Sequence, residues 1–160
     1  MRRSLGVWIV LGATCVTGCG SGETIWVKGV LQKEGQVYKP SEGRKVALYF
    51  YPIKDETSGA TNSEVEMADY DPKDGSFTVP GREGYGIAPG KYRIAIVETL
   101  RREELDKLNK ASKPKRGQPR QRLSNDTNFL EGPFGEKTSP FVRDLKTSTS
   151  LTLDMAKPTE

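Results

Sequence analysis

The chain has 160 residues, of which 25 are basic and 21 acidic, and a formal net charge of +4 at pH 7. This near-balance argues against nucleic acid or another dedicated polyanionic partner. Histidine is absent from the sequence, which excludes Ser-His-Asp and Cys-His catalytic arrangements and removes the commonest metal ligand. A chain of this length predicts one domain with a hydrophobic core of its own.

The N-terminal segment has the three parts of a signal peptide. Two arginines precede an apolar stretch over residues 5–16, and the small residues 16–18 come directly before Cys19. This run resembles the lipobox of bacterial lipoproteins. The apolar stretch is too short for a membrane-spanning helix, which needs about 20 apolar residues. We therefore predict a signal peptide over residues 1–18, acylation of Cys19 and a lipidated tether over residues 19–23.

Cleavage directly before Cys19 would determine which cysteine thiols remain in the mature chain. Cys15 leaves with the signal peptide, and Cys19 becomes the acylated N-terminus. Thiol nucleophiles and cysteine metal sites are then excluded, and we predict neither a metal nor a cofactor. The expected location is extracytoplasmic, with a lipid anchor in the bacterial cell membrane or outer membrane. An ordinary secretory signal with incidental cysteines is the alternative.

Beyond the tether, short alternating apolar runs predict β-strands. The predicted strands cover residues 24–31, 37–38, 45–51, 64–69, 76–79, 91–99 and 149–155. Gly29 is a candidate β-bulge in the first of them. Ile94 and Leu153 are predicted to point into the core, because each lies on the apolar face of an alternating strand. About seven short strands separated by turns predict an all-β sandwich.

Residues 100–135 interrupt the β pattern. Leu105 and Leu108 have helical spacing, and residues 113–122 then contain five basic side chains, two prolines and no acid. The five basic residues are Lys113, Lys115, Arg116, Arg120 and Arg122. We expect a short helix followed by a solvated basic arm. The alternative is an arm that binds an anionic surface such as lipid headgroups.

Five short motifs follow the lipobox-like run, one after another along the chain. They cover residues 27–30, 46–52, 74–78, 88–94 and 138–141. Together they resemble the small planctomycete-type bacterial lipoproteins with a carboxypeptidase regulatory-like, or transthyretin-like, domain. The resemblance implies a prealbumin-like Greek-key sandwich of about seven strands, and we place the sandwich domain over residues 24–157. The short helix and basic loop inserted before the last strands are where this chain departs most from the family. The resemblance implies no catalytic residue, because the regulatory domain of carboxypeptidases is not the metal-bearing one.

Two further sequence features suggest ligand sites, and each has a simpler interpretation. Asp69, Asp71 and Asp74 resemble part of a calcium loop, but their spacing departs from the EF-hand pattern and fits a hairpin turn. The glycine-rich run over residues 81–90 lacks the glycine spacing of phosphate-binding loops. An extended turn before the next strand is the better interpretation.

Aromatic residues supply the remaining candidate surface. Tyr70 and Tyr85 are predicted to lie in turns, where they form a candidate ligand surface. Trp26, Tyr49 and Tyr51 could extend a sugar-binding platform, although aromatic side chains in sandwiches more often pack in the core.

These features favour a non-catalytic envelope module with a structural or protein-interaction role. Its expected partners are the membrane, through the N-terminal lipid, and envelope proteins or polysaccharide. A carbohydrate- or small-ligand-binding module is the first alternative. An enzyme that uses paired carboxylates or Ser-Lys chemistry is the second.

Overall fold

The computed structural model describes residues 23–53, 64–111, 124, 127–130 and 132–158. The predicted signal peptide, Cys19 and the basic arm over residues 113–122 lie outside them. The described strands are β1 (Val27–Lys33), β2 (Gln36–Val37), β3 (Arg44–Pro52), β4 (Glu66–Tyr70), β5 (Ser76–Val79), β6 (Gly90–Leu100), β7 (Val142–Leu145) and β8 (Thr149–Asp154). One α-helix, α1 (Arg102–Ala111), lies between β6 and β7, and a short 3-10 turn (Arg82–Gly84) follows β5.

The strands form one curled sheet. β4, β3, β6 and β7 are neighbours in that order and pair antiparallel, while β4 also pairs with β5 and β5 with β1. β8 pairs with β1 in parallel, over a register that runs from Val27 opposite Thr149 to Gln32 opposite Asp154. Inward side chains from both halves of the curl share one core. The predicted all-β, sandwich-like fold with a short helix before the last strands is confirmed.

Strict alternation along the strands builds this core. Ile94 and Leu153 are both 0 % exposed, which confirms their predicted inward position. The Phe50 ring lies between Phe77 and Tyr92, with ring centroids 6.2 and 6.3 Å away. Each large apolar side chain buried in this way contributes about 1.5–3 kcal/mol to the free energy of unfolding. The alternation that predicts the strands therefore also supplies their stabilisation.

Gly29 occupies a regular position in β1 rather than a bulge. The pairing of β1 with β5 and with β8 runs through Gly29 without interruption, so the predicted bulge is wrong. A Cβ atom on this residue would lie 2.2 Å from the Leu151 carbonyl oxygen and 2.6 Å from Cζ of Phe77. Glycine is required here because neighbouring backbone and a core ring leave no room for a side chain.

The predicted insertion divides into two parts with different packing. Its helix is present as α1, and Leu105 is buried while Leu108 is 45 % exposed. The end of the insertion packs on β6. The Phe129 N–H donates to the Glu98 carbonyl at 2.8 Å, and the Ile96 N–H donates to the Phe134 carbonyl at 2.9 Å.

The chain between Phe134 and β7 continues this cover along β6. The rings of Phe134 and Phe141 stack with centroids 5.9 Å apart, and both side chains are buried. The Ile94 N–H donates to the Phe141 carbonyl at 2.8 Å, and the hydroxyl of Ser139 donates to the Ile94 carbonyl. Irregular backbone thus satisfies the part of the β6 edge that lies beyond the pairing with β7.

Candidate functional site

The structure does not bring Tyr70 and Tyr85 onto a common surface. Tyr70 is the last residue of β4, opposite Phe77 near the start of β5, and its hydroxyl donates to the Tyr38 carbonyl. It therefore ends a strand and is half-buried, rather than lying in a turn as predicted. Tyr85 follows the other end of β5 and is 67 % exposed.

Tyr70 belongs instead to a polar cluster at one end of the sandwich. The polar cluster consists of Tyr38, Ser41, Arg44, Tyr70 and Glu98. Glu98 is 3 % exposed, and its carboxylate accepts hydrogen bonds from the Ser41 N–H at 3.0 Å and the Tyr38 hydroxyl at 3.2 Å. Arg44 lies 3.5 Å from the same carboxylate. A buried carboxylate is tolerated only when it is paired and hydrogen-bonded, and these contacts tie the β2–β3 loop to β6.

The phenols of this cluster are held in their neutral form. Burial raises the pKa of Tyr38 to about 12, and the charge and hydrogen bond of Glu98 add to the shift. Burial also raises the pKa of Tyr70 to about 12, and the charges of Asp74 and Asp71 add to it. Neutral phenols donate hydrogen bonds and are poor proton acceptors. The geometry of the cluster is therefore that of a structural clamp.

The outward side of β3 and β4 carries an exposed apolar surface, here called the aromatic face. The aromatic face consists of Tyr49, Tyr51, Val65 and Met67. Tyr49 lies opposite Met67 across the two strands, and the rings of Tyr49 and Tyr51 have centroids 6.3 Å apart. Val65 and Met67 are 47 % and 55 % exposed. Both lie in the predicted strand over residues 64–69, on the side of it that faces solvent.

A cleft of about 330 Å³ borders the aromatic face. Its lining consists of Tyr51, Pro52, Ile53, Val65, Arg93, Glu136 and Lys137. Nε of Arg93 is buried and has no hydrogen-bond partner among the described residues. Leaving a buried donor unpaired costs about 1–3 kcal/mol, so Arg93 gains from any bound group that brings an acceptor oxygen to it. Sequence patterning gave no signal for this residue, which occupies an outward position in a regular strand.

A second exposed aromatic surface lies at the start of β1 and is here called the Trp26 surface. Trp26 is 52 % exposed, whereas the next residue, Val27, is fully buried. The Trp26 N–H donates to the Ser148 hydroxyl at 3.0 Å, and its carbonyl accepts from the Thr149 N–H at 3.0 Å. A cleft of about 390 Å³ adjoins the ring. It is lined by Trp26, Val27, Lys28, Thr78, Ser148, Thr149 and Ser150.

The acidic turn between β4 and β5 is a hairpin turn, as predicted. Oδ1 of Asp71 accepts from the Lys73 N–H at 2.8 Å, and Oδ1 of Asp74 accepts from the Ser76 N–H at 2.9 Å. Within the described ranges, no group of three or more His, Cys, Asp or Glu side chains is placed to hold a metal ion. The same ranges contain no helix with the length and apolar character needed to cross a membrane.

Comparison with protein-family models, with curated proteins and with solved structures gives no match to this chain. The functional interpretation therefore rests on the sequence motifs and on the two exposed surfaces. Cys19 and the five basic residues of the arm lie outside the described residues, so their predicted roles stay predictions.

Proposed function

We propose that this chain is a lipid-anchored, extracytoplasmic protein of the bacterial envelope that acts as a non-catalytic protein-interaction module. The lipobox before Cys19 supports the anchor, and the resemblance to regulatory-like lipoprotein domains supports the module. The observation that carries the interaction role is the aromatic face, where Val65 and Met67 are about half exposed beside two tyrosines. Contiguous exposed apolar patches mark interaction sites, and Tyr and Met are enriched in interfaces.

The chemistry around the aromatic face defines the kind of partner it fits. Val65 and Met67 offer apolar area, and Arg93 lines the adjoining cleft with a buried Nε that has no acceptor within the described part of the chain. A partner that presents an apolar side chain flanked by a carboxylate or carbonyl oxygen would cover the apolar area and supply Arg93 with an acceptor. Arg and aromatic side chains in such desolvated positions often dominate the free energy of binding.

A carbohydrate or another small ligand is the second candidate for the same place. The observation that favours it is the cleft of about 330 Å³, which combines the Tyr51 ring with the polar side chains of Arg93, Glu136 and Lys137. Small-molecule sites usually combine a concave apolar wall with a few convergent polar groups. A sugar would stack on Tyr51 and accept a hydrogen bond from Arg93.

The anchor is tested by labelling the full chain with a fatty-acid analogue in a bacterial host that processes lipoproteins. We expect label on an N-terminal peptide that begins at Cys19, and mass spectrometry of that peptide identifies the modified residue. Cys19→Ser should abolish the label. Cys15→Ser is the matched control and should retain it. Label that survives Cys19→Ser would reject the proposed anchor.

The interaction role is tested by site-specific photo-crosslinking in the native envelope. A crosslinking side chain at position 67 should give a discrete protein adduct, and Arg93→Ala should reduce its yield. The control position is Leu108, which is exposed to a similar extent on α1. Equal adducts from both positions would contradict a specific surface. Suppression of the adduct by an added envelope oligosaccharide would favour the carbohydrate candidate.

A further inference from the structure

The Trp26 surface lies close to the proposed acyl anchor along the chain. Cys19 precedes Trp26 by seven residues, and an extended chain spans at most about 3.6 Å per residue. The start of β1 therefore lies within about 25 Å of the acylated cysteine. A covalent limit of this size holds that end of the sandwich near the membrane surface. We infer that the Trp26 surface rests on the bilayer that holds the anchor, an inference that rests on the proposed acylation of Cys19.

The side chains at this end suit the boundary between water and lipid. Tryptophan is enriched at that boundary, because its ring is apolar and its indole N–H is polar. Lys28 lies two residues further along β1 and is also exposed, so its ammonium group can reach lipid phosphates while its stem covers apolar surface. Thr78, Ser148 and Ser150 add hydroxyl groups around the cleft. Glu23 is the one acidic residue between the first described position and Lys28.

The ring is carried by fixed backbone rather than by a free tail. On one side of Trp26, Ile25 exchanges two backbone hydrogen bonds with Ile87, at 2.8 and 3.0 Å. Trp26 itself bonds to Ser148 and Thr149 at the start of β8. Contact between this ring and the membrane surface would therefore fix the orientation of the whole sandwich relative to the bilayer. The polar cluster, which follows the far end of β1, would then face away from the bilayer.

Hydroxyl-bearing side chains beside an exposed tryptophan could equally surround a sugar ring. The short chain between Cys19 and Trp26 favours lipid over sugar, because the anchor itself brings a lipid surface close to Trp26. A saccharide would have to reach the same narrow zone beside the membrane. The bilayer is therefore the occupant that the observations favour.

Intrinsic fluorescence gives a direct test, because the sequence has two tryptophans and the other, Trp8, lies in the predicted signal peptide. Emission of the acylated mature protein then comes from Trp26 alone. The protein is reconstituted in phosphatidylethanolamine–phosphatidylglycerol vesicles, with and without brominated acyl chains. We expect a blue shift relative to the detergent-solubilised protein, weaker quenching by acrylamide, and loss of emission in the brominated vesicles.

A matched variant separates this contact from general proximity to lipid. Trp26→Phe combined with Leu108→Trp moves the single fluorophore to α1, where emission should be insensitive to bromination. Emission of Trp26 that is equal in both kinds of vesicle, from protein that floats with them and carries the acyl group, would overturn the inference and leave the anchor intact. Protein that neither floats nor carries the acyl group would instead reject the proposed anchor. A blue shift produced by a soluble envelope oligosaccharide, without quenching by brominated lipid, would overturn the inference in favour of a sugar site.

Discussion

The guanidinium of Arg44 lies 3.5 Å from the carboxylate of Glu98 and 4.6 Å from the centre of the Phe129 ring. Arg44 thereby connects the start of β3, the end of β6 and the segment that follows the basic arm. Asn128 strengthens the same junction, because its Oδ1 accepts from the N–H groups of Glu98 and Leu130. The end of the insertion is therefore fastened to the sandwich by the hydrogen bond between Asn128 and the Glu98 N–H and by the contact of Phe129 with Arg44.

Removing the carboxylate should destabilise the fold. Glu98→Ala leaves the Ser41 N–H and Arg44 without their acceptor, and we expect a loss of about 3 kcal/mol. Glu98→Gln keeps one acceptor oxygen and should cost less. Asp144→Ala is the control, because its pair with Lys146 is exposed and worth at most about 1 kcal/mol. Urea unfolding measures all three, and equal midpoints for Glu98→Ala and Asp144→Ala would contradict the structural role.

The two raised tyrosine pKa values predict loss of stability at high pH. Burial raises the pKa values of Tyr38 and Tyr70 to about 12 in the folded protein, from the ordinary tyrosine value of 10.0. Between these values the folded state retains protons that the unfolded state releases. The stabilising contribution is therefore complete below about pH 10 and is lost as the pH rises through about 12.

Urea midpoints at about pH 9 and about pH 11 should show this decline. The decline should be smaller in the Tyr38→Phe/Tyr70→Phe variant, which has no phenol at either position. Tyr85→Phe removes an exposed tyrosine outside the polar cluster and should leave the decline in place. Alkaline titration of tyrosinate absorbance checks the same groups directly. A double variant that loses stability as steeply as the parent would refute the assignment.

Truncation of a buried side chain should lower the free energy of unfolding more than truncation of an exposed one. Ile94→Ala and Leu153→Ala each remove a fully buried side chain and should destabilise by about 2–5 kcal/mol, because a cavity remains. Leu108→Ala removes a side chain that is 45 % exposed and should cost at most about 0.5 kcal/mol. Thermal or urea unfolding compares them. Similar losses at Ile94 and Leu108 would be inconsistent with the placement of β6.

Gly29 and Gly90 form a matched pair for a steric test. Gly29→Ala places a methyl group against the Leu151 carbonyl and the Phe77 ring, and should cost about 3 kcal/mol or more. At Gly90 the nearest atom to an added Cβ is a ring carbon of Tyr92 at 3.7 Å, so Gly90→Ala should be tolerated. Urea midpoints measure both variants. A stable Gly29→Ala protein would show that β1 can separate from β8.

The basic arm is predicted to be dispensable for folding. Replacing residues 113–122 with a short Gly-Ser bridge should leave the melting temperature nearly unchanged, because loop-closure entropy varies only logarithmically with length. If the arm binds an anionic surface, vesicle binding should fall at low salt and change little at high salt. The control replaces Lys113, Lys115, Arg116, Arg120 and Arg122 with Gln at constant length. A collapse of the melting transition in the shortened protein would show that the arm is packed into the fold.

Seven of the eight described strands were predictable, because alternation of apolar residues indicates burial within each strand separately. No predicted strand covers β7 (Val142–Leu145). The runs around Phe50, Ile94 and Leu153 predict both strand and inward face, and the structure agrees. The cover of β6 by Phe129 and Phe134 was not predictable in this way. Those residues lie in irregular backbone. They cover the part of the β6 edge that β7 leaves unpaired, and the extent of that part is known only once the pairing of β6 with β7 is known.

The candidate surfaces show the same division. Exposed Val65 and Met67 alternate as regularly as a buried pair, so periodicity alone does not tell which face of β4 meets the core. Tyr70 illustrates the opposite error, because a tyrosine beside a turn motif is half-buried when its hydroxyl finds a carbonyl, here that of Tyr38. Which of two faces is covered is a property of the assembled sheet.

The parallel pairing of β1 with β8 has a consequence for the order of events during biogenesis. Trp26 and Ser148, which bond to each other, are separated by 122 positions in the sequence. A nascent chain therefore cannot complete its core until residues 149–154 have been synthesised, and contacts of such long range also slow folding. A chain whose closing strand is synthesised late therefore stays without a complete core, and stays open to other contacts, through most of its synthesis.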